Sequence, residues 1–188
     1  MISPYKEDFA LEPFASPDKN DPQLRFFLEE ACRKLCDWIA LSGSIGPLPP
    51  SSELPEIEPE LSGLSSGELL RDIQILMEGA YRPSHPGALA HLDPPSLSAS
   101  IVGDLICAGL NNNLLAEELS PNLSKLERLL CCWFAKRIGL PKGSGGVAAS
   151  GGSLSNLMAL VVARRRSEFQ NDSSAVIITS NDAHVSIY

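Results

Sequence analysis

The stretch from Gly145 to Arg166, GGVAASGGSLSNLMALVVARRR, constrains this chain more than any other. Its order of small residues, a Ser150-Gly151-Gly152-Ser153 turn and a long apolar run predicts a short strand, a tight turn and a helix over about Leu154–Phe169. A turn of such small residues leaves backbone N–H groups and hydroxyls facing one spot in front of the helix. The first-turn amides have no intrahelical acceptor and the helix dipole is positive there, so the spot suits an anion, phosphate above all. That helix is apolar on most sides, which predicts burial in a core. The run AVIITS, Ala175–Ser180, reads as a parallel strand covered on both faces. A β-α-β alternation has then only begun when the chain reaches Tyr188. The expectation is the front part of a larger α/β protein, whose isolated chain aggregates or stays molten because its sheet is unfinished.

Upstream, residues 1–22 are polar and proline-spotted and read as an extended arm. Leu24, Phe27, Leu28, Ala31, Leu35, Trp38 and Ile39 lie at helical spacing and predict an amphipathic helix from Gln23 to Leu41. A Ser/Pro/Gly-rich linker follows. Ser65 with Glu68 three residues on forms the capping-box pattern before a helix over about 67–79. Residues 81–96, YRPSHPGALAHLDPPS, form a proline-rich loop carrying His85 and His91. Helices are expected over about 97–110 and from Ser120-Pro121, an N-cap followed by proline at the first helical position, to a stop at Gly139.

A net charge of −8 disfavours nucleic acid or a membrane surface as partner, both of which want a basic face. The basic run Arg164-Arg165-Arg166 complements the dipole at a helix C-terminus. No apolar leader and no window of about 18 apolar residues is visible, so a cytoplasmic protein is expected. The five cysteines form no CxxC pair and no metal-ligand set; they read as reduced thiols in a core.

The phosphate carrier can be narrowed. Gly151-Gly152-Ser153 lacks the lysine of a Walker A loop, and Gly143-Ser144-Gly145-Gly146 neither completes GxGxxG nor follows a strand. Spacing alone leaves a plain tight turn as an equal reading.

The segment GGVAASGGSLSNLMAL resembles the phosphate-binding region of the group II pyridoxal-phosphate decarboxylases, the family of the diaminobutyrate, glutamate and aromatic amino acid decarboxylases. His85-Pro86 resembles that family's HP element, and Ala90-His91-Leu92-Asp93-Pro94-Pro95 its AHL-x-PP element. Ser120-Pro121 through Leu126-Glu127 resembles SP-x-x-x-x-LE, and Ala183-His184 the AH that carries the ring-stacking histidine. These elements occur in family order over about 105 residues.

The resemblance implies an α/β fold. Residues 1–84 would be an arm with helices and a linker, and 85–188 the incomplete beginning of a type I pyridoxal-phosphate transferase (aspartate-aminotransferase-like) large domain. It implies pyridoxal 5'-phosphate as cofactor, held by Ser150, Gly151, Gly152 and Ser153, with His184 lying on its ring in a catalytic role. An exposed loop histidine is the other reading of His184. His85 and His91 are implied substrate-side residues, or else cap backbone groups of their own loop. Asn111-Asn112-Asn113 either approaches substrate or is a helix-ending turn. The implied partners are an amino-acid substrate, a second copy in a homodimer and the C-terminal part of the enzyme. All six lysines, Lys6, Lys19, Lys34, Lys125, Lys136 and Lys142, precede the phosphate turn, whereas the family's cofactor-bonded lysine follows it. Catalysis is therefore expected to need residues beyond this chain. Two alternatives stand beside this reading: a non-catalytic remnant serving as a dimerisation module, and a binder of another phosphorylated metabolite.

Overall fold

The computed structural model describes residues 8–10, 12–15, 17, 20–49, 53–54, 61, 63–89, 93–167, 172 and 174–187. The chain forms two compact units, Met1–Gly103 and Asp104–Tyr188.

In the first unit, α1 (Pro22–Ala40) starts where the Asp21 side chain accepts the Leu24 amide at 2.9 Å and Pro22 takes the first position, which needs no N–H. A short 3-10 turn, Leu41–Gly43, continues it. The α2 helix (Ser66–Glu78) opens with the expected capping box: Ser65 Oγ accepts the Glu68 amide, and Glu68 Oε2 accepts the Ser65 amide. α1 and α2 pack together. Leu70 is the one buried apolar residue described in this unit.

The arm is tied down by α2. Asp8 accepts from the Gly67 amide at 2.7 Å and from the hydroxyls of Ser65 and Ser66 at 2.7 and 3.2 Å. Phe9 carbonyl accepts the Ser66 amide, Ala10 forms an isolated antiparallel bridge with Ser65, and Phe9 meets the Phe26 ring. A carboxylate at a helix N-terminus receives its donors and its favourable dipole end together. The Ser65 hydroxyl, then the Gly67 amide, hold the Asp8 carboxyl below the ordinary value of 3.8. A carboxylate depressed in the folded state stabilises above its unfolded value and loses that contribution as pH falls through the folded one. Acid should therefore release the arm before α1 and α2 separate. Amide exchange at Ser66 and Gly67 should accelerate below about pH 4 in the native chain and already be fast at neutral pH in Asp8→Asn. Equal protection in the two chains would refute this docking.

A second tether centres on Arg82, which is only 2% exposed. Its guanidinium lies 4.7 Å from the Trp38 ring centroid, and Nη1 donates to the Trp38 carbonyl at 3.0 Å. Its amide donates to the Pro47 carbonyl at 3.0 Å. One side chain thus fastens the end of α1 to the loop that follows α2.

Helix α3 (Ser98–Leu110) contains the point at which the chain divides into units. Asn111, at φ 46°, ends it and donates its amide to the Cys107 carbonyl at 3.0 Å. In the second unit, α4 (Pro121–Arg137) stops at Gly139, where φ is 79°. The Leu140 amide reaches the Ala135 carbonyl and the Gly139 amide that of Lys136, the paired bonds of a Schellman end. The start of α4 differs from expectation. Ser120 sits at ψ 59°, outside the extended region that a capping side chain needs, so it makes no cap bond and its hydroxyl is buried without a partner. Proline alone marks that boundary.

α5 (Gly152–Arg166) begins two residues earlier than expected and carries the three arginines in its last turn. Phe169, the expected end, lies outside the described residues. The expected burial of α5 is not observed: Leu157 is 55% exposed and no residue of the helix is buried. Ala135 is the one buried apolar residue described in this unit. The expected strands are also absent among the described residues. Residues 175–180 form no ladder, with Ile178 93% exposed, and neither do residues 144–149. A strand exists only through a neighbour's N–H and C=O groups, and the described residues supply none. The cysteines are free but not in a core, with four of the five exposed. No described helix is long and apolar enough to cross a membrane.

Candidate functional site

The α5 N-terminus is built from small residues with no competing acceptor. Gly151 is the N-cap, extended at φ 169°, and has no side chain to cap the helix. Its carbonyl accepts the Ser155 amide at 3.1 Å and the Ser155 hydroxyl at 3.2 Å. The amides of Gly152, Ser153 and Leu154 donate to no group among the described residues, and the Ser153 hydroxyl is equally unengaged. Ser150 through Ser153 are exposed, and a Cβ added to Gly151 or Gly152 would meet nothing within 4 Å. An open cluster of neutral donors at the positive end of a 15-residue helix fits the phosphate of pyridoxal phosphate.

The approach to this turn is fixed from α4. Glu127 Oε1 accepts the Ala148 amide at 2.9 Å, joining the SP-x-x-x-x-LE helix to the segment that enters the turn. Residues 145–148 line an apolar groove with Leu130, Cys131 and Phe134. A charge-assisted bond of this kind contributes roughly 1.5–3 kcal/mol when well formed. Glu127→Ala should speed exchange of the Ala148 amide by about tenfold or more while leaving α4 helical. An unchanged Ala148 rate would show that the groove alone holds the segment.

His184 stands before a 3-10 turn, Val185–Ile187, that packs on α5. Its Nδ1 lies 2.8 Å from Ser186 Oγ and 3.2 Å from the Ser186 amide. Asn156 Nδ2, in the second turn of α5, donates to that same Ser186 Oγ at 2.8 Å. This contact ties the imidazole loop to the second turn of α5. Ser150, Gly151, Gly152, Ser153 and His184 therefore belong to one unit, in which the His184 loop is bonded to α5 through Asn156. His184 itself is exposed.

The histidines of the proline-rich loop are placed differently. His85 accepts the Gly87 amide on Nδ1 at 2.9 Å, its amide donates to the Arg82 carbonyl, and its carbonyl accepts the Ala88 amide. The geometry is the backbone-capping one. His91 lies outside the described residues. Asn113 Oδ1 accepts the Leu115 amide at 2.9 Å, so the asparagine run is a turn-former here.

Sequence reasoning gave no role to Asn156 or Ser186, and it quoted Glu127 within its motif without the bond to Ala148. The first two lay inside or beside quoted segments, but nothing in their spacing says that a helix residue and a loop residue thirty positions apart share a hydrogen bond.

Residues 51–188 match the sequence model described as the pyridoxal-dependent decarboxylase conserved domain. The chain belongs to the pyridoxal-dependent decarboxylase family. It is 31% identical over 108 residues to an L-2,4-diaminobutyrate decarboxylase of Acinetobacter baumannii, covering 57% of this chain and 21% of that protein. It is 30% identical over 103 residues to an aromatic-L-amino-acid decarboxylase of Bacillus atrophaeus, covering 55% and 22%. The match thus spans about a fifth of each relative's length. Among solved structures, mouse CSAD superposes with a TM-score of 0.68 at 23% identity, over 80% of this chain and 32% of that one. Oryza sativa TDC with PLP gives 0.65 at 22% identity, over 81% and 35%. The fold of this decarboxylase-family chain is therefore that of part of those enzymes, the α/β class expected, although its own described residues form helices, 3-10 turns and one isolated bridge.

Proposed function

We propose that this chain supplies the phosphate-binding turn and the ring-facing histidine of a pyridoxal-phosphate-dependent amino-acid decarboxylase. One observation carries the reading. The uncapped first turn of α5 and His184 are joined through Asn156 and Ser186 into one assembly. When bound, pyridoxal phosphate supplies an electron sink for the carbanion left as carbon dioxide departs. The residues of this chain bind and orient. The Gly152 and Ser153 amides and the Ser153 hydroxyl hold the phosphate, with Ser150 beside them, and the His184 imidazole fixes the ring plane. Residues 85–188 form the cofactor-binding part, and the bonds His85 makes within its own loop favour a capping role for it over a substrate-side one. The rest of the enzyme and a second copy cover the apolar faces of α4 and α5. The cytoplasm is the compartment we assign.

Titration of the full chain with pyridoxal phosphate, pyridoxal and a simple sugar phosphate tests the reading. Saturable binding of the first, with at least tenfold weaker binding of the other two, is expected. Equal binding of a sugar phosphate would favour a general phosphorylated-metabolite site, and no binding of any would remove the proposal. Supplying a segment that carries a family lysine should further produce the visible absorbance of lysine-bound cofactor. The open faces of α4 and α5, where Leu126, Trp133, Phe134 and Leu157 are each at least half exposed, favour one second reading, a dimerisation module. That reading requires stable association with a full-length homologue without any cofactor binding by this chain.

A further inference from the structure

The hydrogen bonds around His184 have a direction, and only one group in them sets it. The Ser186 backbone amide can donate but never accept, and it lies 3.2 Å from His184 Nδ1. Nδ1 must therefore offer a lone pair and carries no hydrogen. Ser186 Oγ, 2.8 Å from the same nitrogen, can bond to it only by donating its hydroxyl hydrogen. With its hydrogen committed, that oxygen accepts, which requires the amide nitrogen of Asn156 to face it at 2.8 Å. Donation runs one way, from the α5 side chain through the loop hydroxyl to the ring.

We infer that Asn156 and Ser186 are positioning residues for His184, locking the neutral imidazole in the Nε2–H form and clamping its ring to the helix that carries the anion turn. Nε2, with its hydrogen, has no partner among the described residues and is the edge left for a ligand. The inference deepens the proposed function and rests on it for its purpose, but the tautomer exists without any cofactor. A ring that must lie flat on an aromatic partner needs both its plane and its proton fixed. Two donors converging on Nδ1 fix both, and the asparagine stops the hydroxyl from turning away. The relay also joins positions 156 and 186, which follow the turn and the histidine respectively, so displacement of α5 carries the imidazole with it.

The test is long-range nitrogen–proton NMR of the 15N-histidine-labelled full chain, with His184 assigned against His184→Gln. The native chain should show His184 as the Nε2–H tautomer. Ser186→Ala should shift the tautomer ratio toward Nδ1–H by roughly tenfold, the size of one net hydrogen bond, and Ser186→Thr should restore it. Asn156→Asp should shift it likewise, because a carboxylate takes the serine hydrogen that Nδ1 otherwise receives. Should Ser186→Ala fail to fold, the Asn156→Asp and Ser186→Thr pair decides. A native Nδ1–H tautomer, or a ratio indifferent to both Ser186→Ala and Asn156→Asp, overturns the inference. Pyridoxal-phosphate titration of the same samples reads the proposed function separately. The relay stands if the tautomer responds while no cofactor binds, and it falls if cofactor binds while the tautomer does not respond.

Discussion

Ser153→Asp should weaken pyridoxal-phosphate binding by at least about 100-fold, close to 3 kcal/mol, without destabilising the chain. Two effects add against the ligand. The substitution removes a hydroxyl donor to an anion, worth roughly 1.5–3 kcal/mol. It also sets a carboxylate near a dianionic phosphate, where repulsion at about 4 Å reaches roughly 4 kcal/mol in a surface-like dielectric. Exposure of the turn screens part of that, so the sum is not taken whole. The same carboxylate is favourable to the helix itself, because the first turn of α5 has no capping side chain and its amides are unsatisfied. An acidic residue there contributes about 0.3–1 kcal/mol. Binding and stability should therefore move in opposite directions, which no general unfolding effect can imitate. The paired measurement is a cofactor titration beside far-ultraviolet circular dichroism through a thermal melt. Undiminished affinity in Ser153→Asp would place the phosphate elsewhere.

Arg82→Ala should cost about 2–4 kcal/mol of the first unit's stability. Three contacts leave together: the stack on Trp38, the charged bond to the Trp38 carbonyl, and the volume between α1 and the following loop. The carbonyl itself stays satisfied, since the Ser42 hydroxyl donates to it at 3.2 Å, and that is why the estimate stops short of a full buried-polar penalty. Arg82→Lys should recover little, because an ammonium lacks the flat fork that both stacks and donates. Urea unfolding followed by the fluorescence of Trp38, in a Trp133→Phe background, measures it directly. A loss below about 0.5 kcal/mol, the size of an ordinary surface substitution, would show that the stack is incidental. The loop carrying His85 should loosen in parallel, seen as faster exchange of the Ala88 amide.

Much of this molecule was legible from local rules. The Ser65–Glu68 capping box, the Gly139 stop and the proline at the start of α4 are short-range signals. Their physics is confined to one helical turn, so sequence suffices to read them. The Ser120 cap failed because capping depends on ψ as well as on residue type, and ψ at Ser120 is 59°. The burial expected of α5 and the strand expected at Ala175–Ser180 failed for a different reason. Hydrophobicity states what a segment would gain from a neighbour, but burial and pairing require the neighbour itself. The arm offers the converse case: Asp8 looked like one more polar residue, yet it caps a helix more than fifty positions away.

The sequence by itself determined the small-residue turn before α5, because its glycines and serines offer no side chain that caps the helix. It determined the family too, through motifs in a fixed order. Only the tertiary structure decided which loop is bonded to α5. The bonds from Asn156 to Ser186 and from Ser186 to His184 join a helix to a distant loop, and such bonds depend on where the chain returns in space, which no local spacing records.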